Sequence, residues 1–418
     1  MNTPCAPSLS RFAIASRLAT ALSVFVALAF VSTTSADDWF QFRGNGGLSV
    51  APGSIPKKLD ESVISWKVDL PAKGASGPIV VGDRVYLTCS GGDKQDQLYT
   101  VCVDAKTGKQ LWTQKFWATG RCFVHPLSAN AAPTPASDGK HIFAFFSSND
   151  LACMDLDGNL LWYRGLAVDY PKAGNDVGMS SSPVVVDGVV IVQVECQGDS
   201  FAMALDASDG TTIWKKDRPR EAMWASPLLA KNNDQNFVLL QSKDGFDMFE
   251  VKTGKQVFQA EGQVSSISSA ATNNGRLFVP INGTTAFAIS SDGSLKQEWN
   301  NKAIRPSSMS SVVHDNKIYT LNRAGGLFVY NAADGNEVGK ARVVKGSGLW
   351  ATPVVVDNHM YVLAQNGSAY VVDLSDAKTP KVVSTFSFGD DEVVLGSPAV
   401  ANNAMYVRSD KFLWKIAE

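Results

Sequence analysis

The sequence predicts an all-β chain: an eight-bladed β-propeller of four-stranded antiparallel blades, closed by an N-terminal strand. Three observations predict it. A unit of about 45 residues recurs along the chain, which is the period of four short strands per blade. Glycine is plentiful and evenly spread, with 34 in 418 residues, as many tight turns require. A single Trp-centred strand near residue 66 stands outside the repeats and supplies what the final unit lacks.

The first half of the unit is a small-polar pair, a proline and two short apolar strands. It reads "SSPVVVDGVVIV" from Ser181, "SGPIVVGDRVYL" from Ser76, "ATPVVVDNHMYV" from Ala351 and "GSPAVANNAMYV" from Gly396. The proline opens strand A, where a missing N–H is tolerated. Asp-Gly and Asn-Asn steps form the A–B hairpin because they accept positive φ. The second half is strand C, a turn and strand D, as in "LYTVCVDAKTGKQLWTQ" from Leu98 and "FAMALDASDGTTIWKK" from Phe201. There the carboxylate of Asp104 or Asp206 accepts backbone N–H bonds, and Gly108 or Gly210 supplies the left-handed residue. The strand-D tryptophans Trp112, Trp162, Trp214 and Trp299 are large enough to pack across to a neighbouring blade.

The units open at Pro78, Pro133, Pro183, Pro227, Ala270, Ser311, Pro353 and Pro398, giving eight starts. The last has strands A, B and C but no D. "VISWKVDL", Val63 to Leu70, has strand-D character and no A, B or C before it, so it completes blade eight and removes the open edges. A seven-bladed ring with one decayed repeat is the alternative.

Residues 1–36 read as a signal peptide: Arg11 and Arg17, an apolar run from Leu18 to Val31, then small residues at Thr34 and Ala36 with cleavage before Asp37. The expected organisation is thus 1–36 signal peptide, 37–62 leader and 63–418 propeller, in a periplasmic or extracellular protein. No later segment has the length to span a membrane. The formal charge is −2, and loss of Arg11 and Arg17 makes it more acidic, which argues against nucleic acid as a partner. Cys102 and Cys153 occupy equivalent strand-C positions and read as small core residues. A Cys89–Cys102 bridge is the alternative.

The Asp-x-x-x-Gly-x-x-x-Trp units, Asp104/Gly108/Trp112 and Asp206/Gly210/Trp214, resemble the tryptophan-docking repeats of the pyrroloquinoline-quinone (PQQ) propellers. The segment "DDWFQFRGNGG", Asp37 to Gly47, is similar to the leader of secreted bacterial members. That family includes PQQ-dependent alcohol and sugar dehydrogenases. It also includes quinone-free propellers such as the propeller subunit of the outer-membrane β-barrel assembly machinery. In the dehydrogenases the resemblance implies two adjacent cysteines whose disulfide stacks on the quinone, calcium ligands from Glu, Asn and Asp, and an Asp base. No Cys-Cys pair is present, and the Asp-Gly steps sit at turns rather than in a calcium loop. Zinc spacing and a Gly-x-Ser-x-Gly elbow are also missing.

The expectation is therefore a non-catalytic exported binding or scaffold propeller with no cofactor. Its partner would be a protein, a peptide or a glycan. The alternatives are a divergent PQQ-dependent oxidoreductase and a β-barrel assembly factor. Two long D–A crossings bear the candidate ligand residues. Phe116 to Ala132 carries Arg121, His125 and Asn130; Leu166 to Ser180 carries Asn175. Residues three before each unit's proline position should ring the channel mouth: Ala75, Asn130, Ser180, Trp224, Ile267, Ser308, Trp350 and Leu395. Trp224 and Trp350, with Arg305 on the same rim, suit a planar ligand, peptide or glycan.

Overall fold

The computed structural model describes residues 38–174, 176–232 and 235–418. The signal-peptide segment and Asn175 lie outside the described residues.

Eight antiparallel sheets form the blades of one propeller. Blade one is Ile79–Val81, Arg84–Gly91, Gln97–Asp104 and Gln110–Trp117, and blades two to seven repeat this meander. Blade eight combines Ala399–Ala401, Ala404–Arg408 and Phe412–Ile416 with Ile64–Asp69, which pairs antiparallel to Phe412–Ile416. The ring is thus closed by the N-terminal strand.

The strand-D tryptophans fix each blade to the next. Nε1 of Trp66, Trp112, Trp162, Trp214 and Trp299 donates to the carbonyl oxygens of Ala105, Leu156, Ala207, Val251 and Ala332, at 2.8–3.2 Å. Each indole lies flat against the turn glycine of the next blade. At Gly210, with φ +73°, a Cβ would stand 2.7 Å from the Trp162 ring, so both the backbone angle and the close approach demand glycine. In blades four, six and seven the register puts Phe258, Gly339 and Ser384 in place of tryptophan. The leader compensates at blade seven: Leu59 N–H bonds Ser384 Oγ, and Tyr361 Oη donates to the carbonyls of Ile55 and Pro56.

Small-polar residues at each repeat start build a second ring. Backbone N–H groups of Gly77, Thr134, Ser182, Ser226, Ser269, Ser310 and Thr352 donate to the hydroxyls of Thr134, Ser182, Ser226, Ser269, Ser310, Thr352 and Ser397 in turn, at 2.9–3.2 Å. The belt is interrupted only at Gly77, where a Cβ would meet the Ser397 carbonyl oxygen at 2.6 Å. It also corrects the start of blade two. Thr134 holds the belt position, so Pro135, and not Pro133, is the opening proline. The Pro-Thr-Pro sequence offered two registers, and only the hydroxyl in the second completes the belt.

The leader turns inside the channel. Asp38 Oδ1 accepts the Gly82 N–H at the A–B turn of blade one, and Trp39 pairs with Val80. Val50–Ala51 then runs parallel to Val354–Val356 of blade seven. Ser54 reaches Asn403 at the A–B turn of blade eight. Arg43 lies near the tip, fully buried. It donates to Ser49 Oγ and to the carbonyls of Ala270 and Ser311, at 3.2, 2.6 and 3.0 Å. Its desolvation lowers the guanidinium to about 10. The channel is stoppered from the A–B side by this loop.

All five described cysteines are free. A Cys89–Cys102 bridge is not formed: Cys89 faces Tyr99 across the strands, whereas Cys102 faces Tyr86. Among the described residues no helix is long and apolar enough to cross a membrane.

Candidate functional site: a cup at the channel mouth

With the leader as stopper, the D–A face of the channel becomes a blind cup of about 400 Å³. Phe42, next to Arg43, lines it from the leader. The eight residues three before each strand-A opening form its wall: Ala75, Ala132, Ser180, Trp224, Ile267, Ser308, Trp350 and Leu395. Asn130 is not among them. Once blade two opens at Pro135, Ala132 takes that place. Asn130 is buried beneath the loop, where its Nδ2 donates to the Gln95 carbonyl and its Oδ1 accepts the Ser148 N–H.

The two indoles are held differently. Trp224 is half-buried, with Nε1 donating to the Gly178 carbonyl of the second long crossing at 2.9 Å. Trp350 is 40% exposed; its Nε1 donates to Gln365 Oε1 at 3.0 Å, and the Arg323 guanidinium stands 6.0 Å above its ring. Seven belt hydroxyls also line the cup. Each already accepts a backbone N–H, and each retains its own O–H for donation.

The two long crossings meet over one side of the mouth. Arg121 Nη1 pairs with Asp176 Oδ1 at 3.1 Å, and His125 N–H donates to the Val177 carbonyl. Arg121 therefore joins the two crossings and does not line the cup. His125 does line it. Its Nδ1 accepts the Leu127 N–H at 3.2 Å, which leaves Nε2 as the ring's donor. Arg305 lines a separate polar groove. Phe42 and the belt hydroxyls were missed from sequence. The recurring Ser and Thr before each proline position were the available signal for the belt; the leader carried none that placed it in the channel.

A PQQ-type quinone is a planar ring bearing carbonyl and carboxylate oxygens. The cup fits such a ring: indole and phenyl groups offer flat apolar contact, and hydroxyls with His125 Nε2 offer donors. It does not fit the calcium ion of the family. No carboxylate lines the cup, and among the described residues no group of three His, Cys, Asp or Glu side chains is arranged to hold a metal ion.

The eight docked blades and the cup define a quinoprotein-type propeller. The family model described as outer membrane protein assembly factor BamB matches residues 60–177 and 100–305, and the chain belongs to this PQQ-like β-propeller repeat family. A polyvinylalcohol dehydrogenase from a Pseudomonas species is 27% identical over 192 residues. That match covers 42% of this chain and 27% of the relative, so the chain spans about a quarter of the relative's length. Among solved structures, a europium-containing methanol dehydrogenase matches with a TM-score of 0.68 at 12% identity, over 91% of this chain and 98% of the other. BamB from Moraxella catarrhalis matches with a TM-score of 0.61 at 14% identity, over 84% and 96%. At these identities the structural matches speak to fold alone.

These findings correct two expectations. The non-catalytic scaffold and the absence of a quinone cofactor both rested on a missing local signature, the adjacent cysteines with their calcium ligands. The curated relative is a dehydrogenase, and its similarity extends over 192 residues. The oxidoreductase alternative is therefore the better supported reading.

Proposed function

We propose that the protein is an exported oxidoreductase of the quinoprotein type, acting on an alcohol, with the cup as its cofactor site. The observation that carries the reading is the match to a polyvinylalcohol dehydrogenase. The cup's indole-lined, donor-rich geometry supports it. The signal-like segment 1–36 supports export.

When bound, the quinone supplies a two-electron acceptor for alcohol oxidation. The chain's own contribution is positioning. Trp224, fixed through Gly178, and Trp350, fixed through Gln365, present faces against which a planar ring stacks. The belt O–H groups and His125 Nε2 donate to carbonyl or carboxylate oxygens. Phe42 and the stopper behind it close the inner end of the cup against water from the A–B side.

The test is reconstitution of the purified mature chain with PQQ, with and without calcium. The expected result is one quinone retained per chain after gel filtration, quenched tryptophan fluorescence, and dye-linked oxidation of a secondary alcohol polymer. No retained quinone and no dye reduction under either condition would overturn the reading.

A further inference from the structure

Beside the cup, on the same D–A face, blade five and the two crossings that flank it enclose a second and larger concavity of about 810 Å³. Its chemistry is unlike the cup's. The functional side chains are Gln263, Asn282, Gln297, Asn300, Lys302 and Arg305, edged by Pro280 and Pro306, and no carboxylate lines it.

The walls are built rather than loose. Val264 and Ile281 form a β-bridge. Asn282 N–H donates to the Gln263 carbonyl at 2.8 Å, and Gln263 N–H to Asn282 Oδ1 at 3.1 Å. Asn300 Nδ2 donates to Thr285 Oγ1 at 2.8 Å and to the Asn282 carbonyl at 3.2 Å. Gly283, with φ +99°, lets the Asn301–Lys302 backbone pass close beside it. A Cβ there would stand 2.5 Å from Lys302 Cα.

What these walls present is unspent hydrogen-bonding capacity. The Gln263 and Gln297 side-chain amides have no partner among the described residues, and Asn300 Oδ1 likewise remains a free acceptor. Arg305 uses only Nε, donating to the Lys302 carbonyl at 2.9 Å; both its Nη groups and Lys302 Nζ have no carboxylate among the described residues. Side-chain amides satisfy alternating donors and acceptors, as on sugar hydroxyls. Two cations without a counter-charge call for an anion, and guanidinium favours a carboxylate or sulfate that it can grip through two N–H groups.

We infer that this groove is a binding site for an anionic oligosaccharide, separate from the cup. The amides take the sugar hydroxyls, and Arg305 with Lys302 takes the acid group.

The test is calorimetric titration of the full mature chain with three probes of matched length: an oligouronate, a sulfated oligosaccharide and an uncharged oligosaccharide. Saturable 1:1 binding of a charged probe is expected, with the uncharged probe at least about tenfold weaker. Which charged probe binds tells a carboxylate from a sulfate. Arg305→Gln should weaken binding about tenfold, the loss expected for a charge-assisted hydrogen bond. Arg305 is exposed and forms no ion pair among the described residues, so its replacement leaves the fold intact, checked by an unchanged thermal transition. Trp350→Ala should leave binding unchanged, which keeps this result independent of the cup's occupant. The inference is overturned by failure of both charged probes, by equal binding of the uncharged probe, by indifference to Arg305→Gln, or by full displacement with equimolar inorganic sulfate.

Discussion

Arg218 carries a buried charge cluster between blades three and four. Its Nε donates to Glu195 Oε1 at 2.8 Å, its Nη2 to Ser242 Oγ at 2.6 Å, and its Nη1 pairs with Asp247. Burial pushes the Glu195 carboxyl up, while Arg218 and the hydrogen bonds of Ser242 and Gln193 pull it back. Glu195 Oε2 has no hydrogen-bond partner among the described residues. Removing the cation would leave a carboxylate buried and uncompensated. Arg218→Met should therefore destabilise by roughly 3–5 kcal/mol in urea unfolding at neutral pH. Adding Glu195→Gln should restore part of the loss, and a single-variant cost near zero would refute the account. None of this was legible in the sequence. Glu195 and Arg218 sit 23 positions apart in unremarkable strand ends, and only blade packing brings them together. The Asn130 misplacement has a related origin, since local spacing could not choose between Pro133 and Pro135.

The C–D turn is the element the sequence showed most clearly, because its chemistry is local. Asp104 Oδ1 accepts the N–H groups of Lys106 and Thr107 at 3.1 and 2.7 Å and the Thr107 hydroxyl at 2.7 Å. These bonds hold the Asp104 carboxyl below its ordinary value, the Thr107 hydroxyl contributing most. A carboxyl lowered in the folded state stabilises above its unfolded pKa, near 3.9, and loses that contribution as pH falls through the folded value. The turn is solvent-exposed, so the effect is modest. Asp104→Ala should cost about 1 kcal/mol at pH 7, and the difference should vanish by about pH 2. A gap between wild type and variant that persists in acid would show that the bonds were not the cause. The docking tryptophans were equally legible, as a large residue at a fixed distance from a turn glycine. Their replacement by Gly339 and Ser384 emerged only from the strand register, and the remedy at Ser384 comes from Leu59, more than 300 residues away.

At the scale of the molecule, eight blades and the closing strand were readable because the repeat is. The stopper was not, because the leader belongs to no repeat and finds its hydrogen-bond partners in blades one, two, five, six, seven and eight. The two N-terminal parts have separable roles. A chain beginning at residue 63 should keep the closing strand, elute with the same oligomeric state as the mature chain and unfold at a lower temperature, having lost Arg43 and the packing of Ile55 and Leu59. A chain beginning at residue 71 would expose the edge Phe412–Ile416 and should self-associate. Size-exclusion chromatography and thermal unfolding separate these outcomes, and identical behaviour of the two truncations would count against the division.

Closure by the early strand also sets an order of events in time. Ile64 and Ile416, which pair in blade eight, are about 350 positions apart. At a synthesis rate of about 5–20 residues per second, the early strand waits roughly 20–70 s for its partner. Throughout that interval it is an unpaired edge, a state prone to mispairing. Its outward positions Ser65, Lys67 and Asp69 are polar and remain exposed in the finished blade, so the strand carries its own protection while it waits. The belt hydroxyls of neighbouring blades can engage as each blade emerges. Only the joint between blades eight and one, where Gly77 interrupts the belt, must be made last.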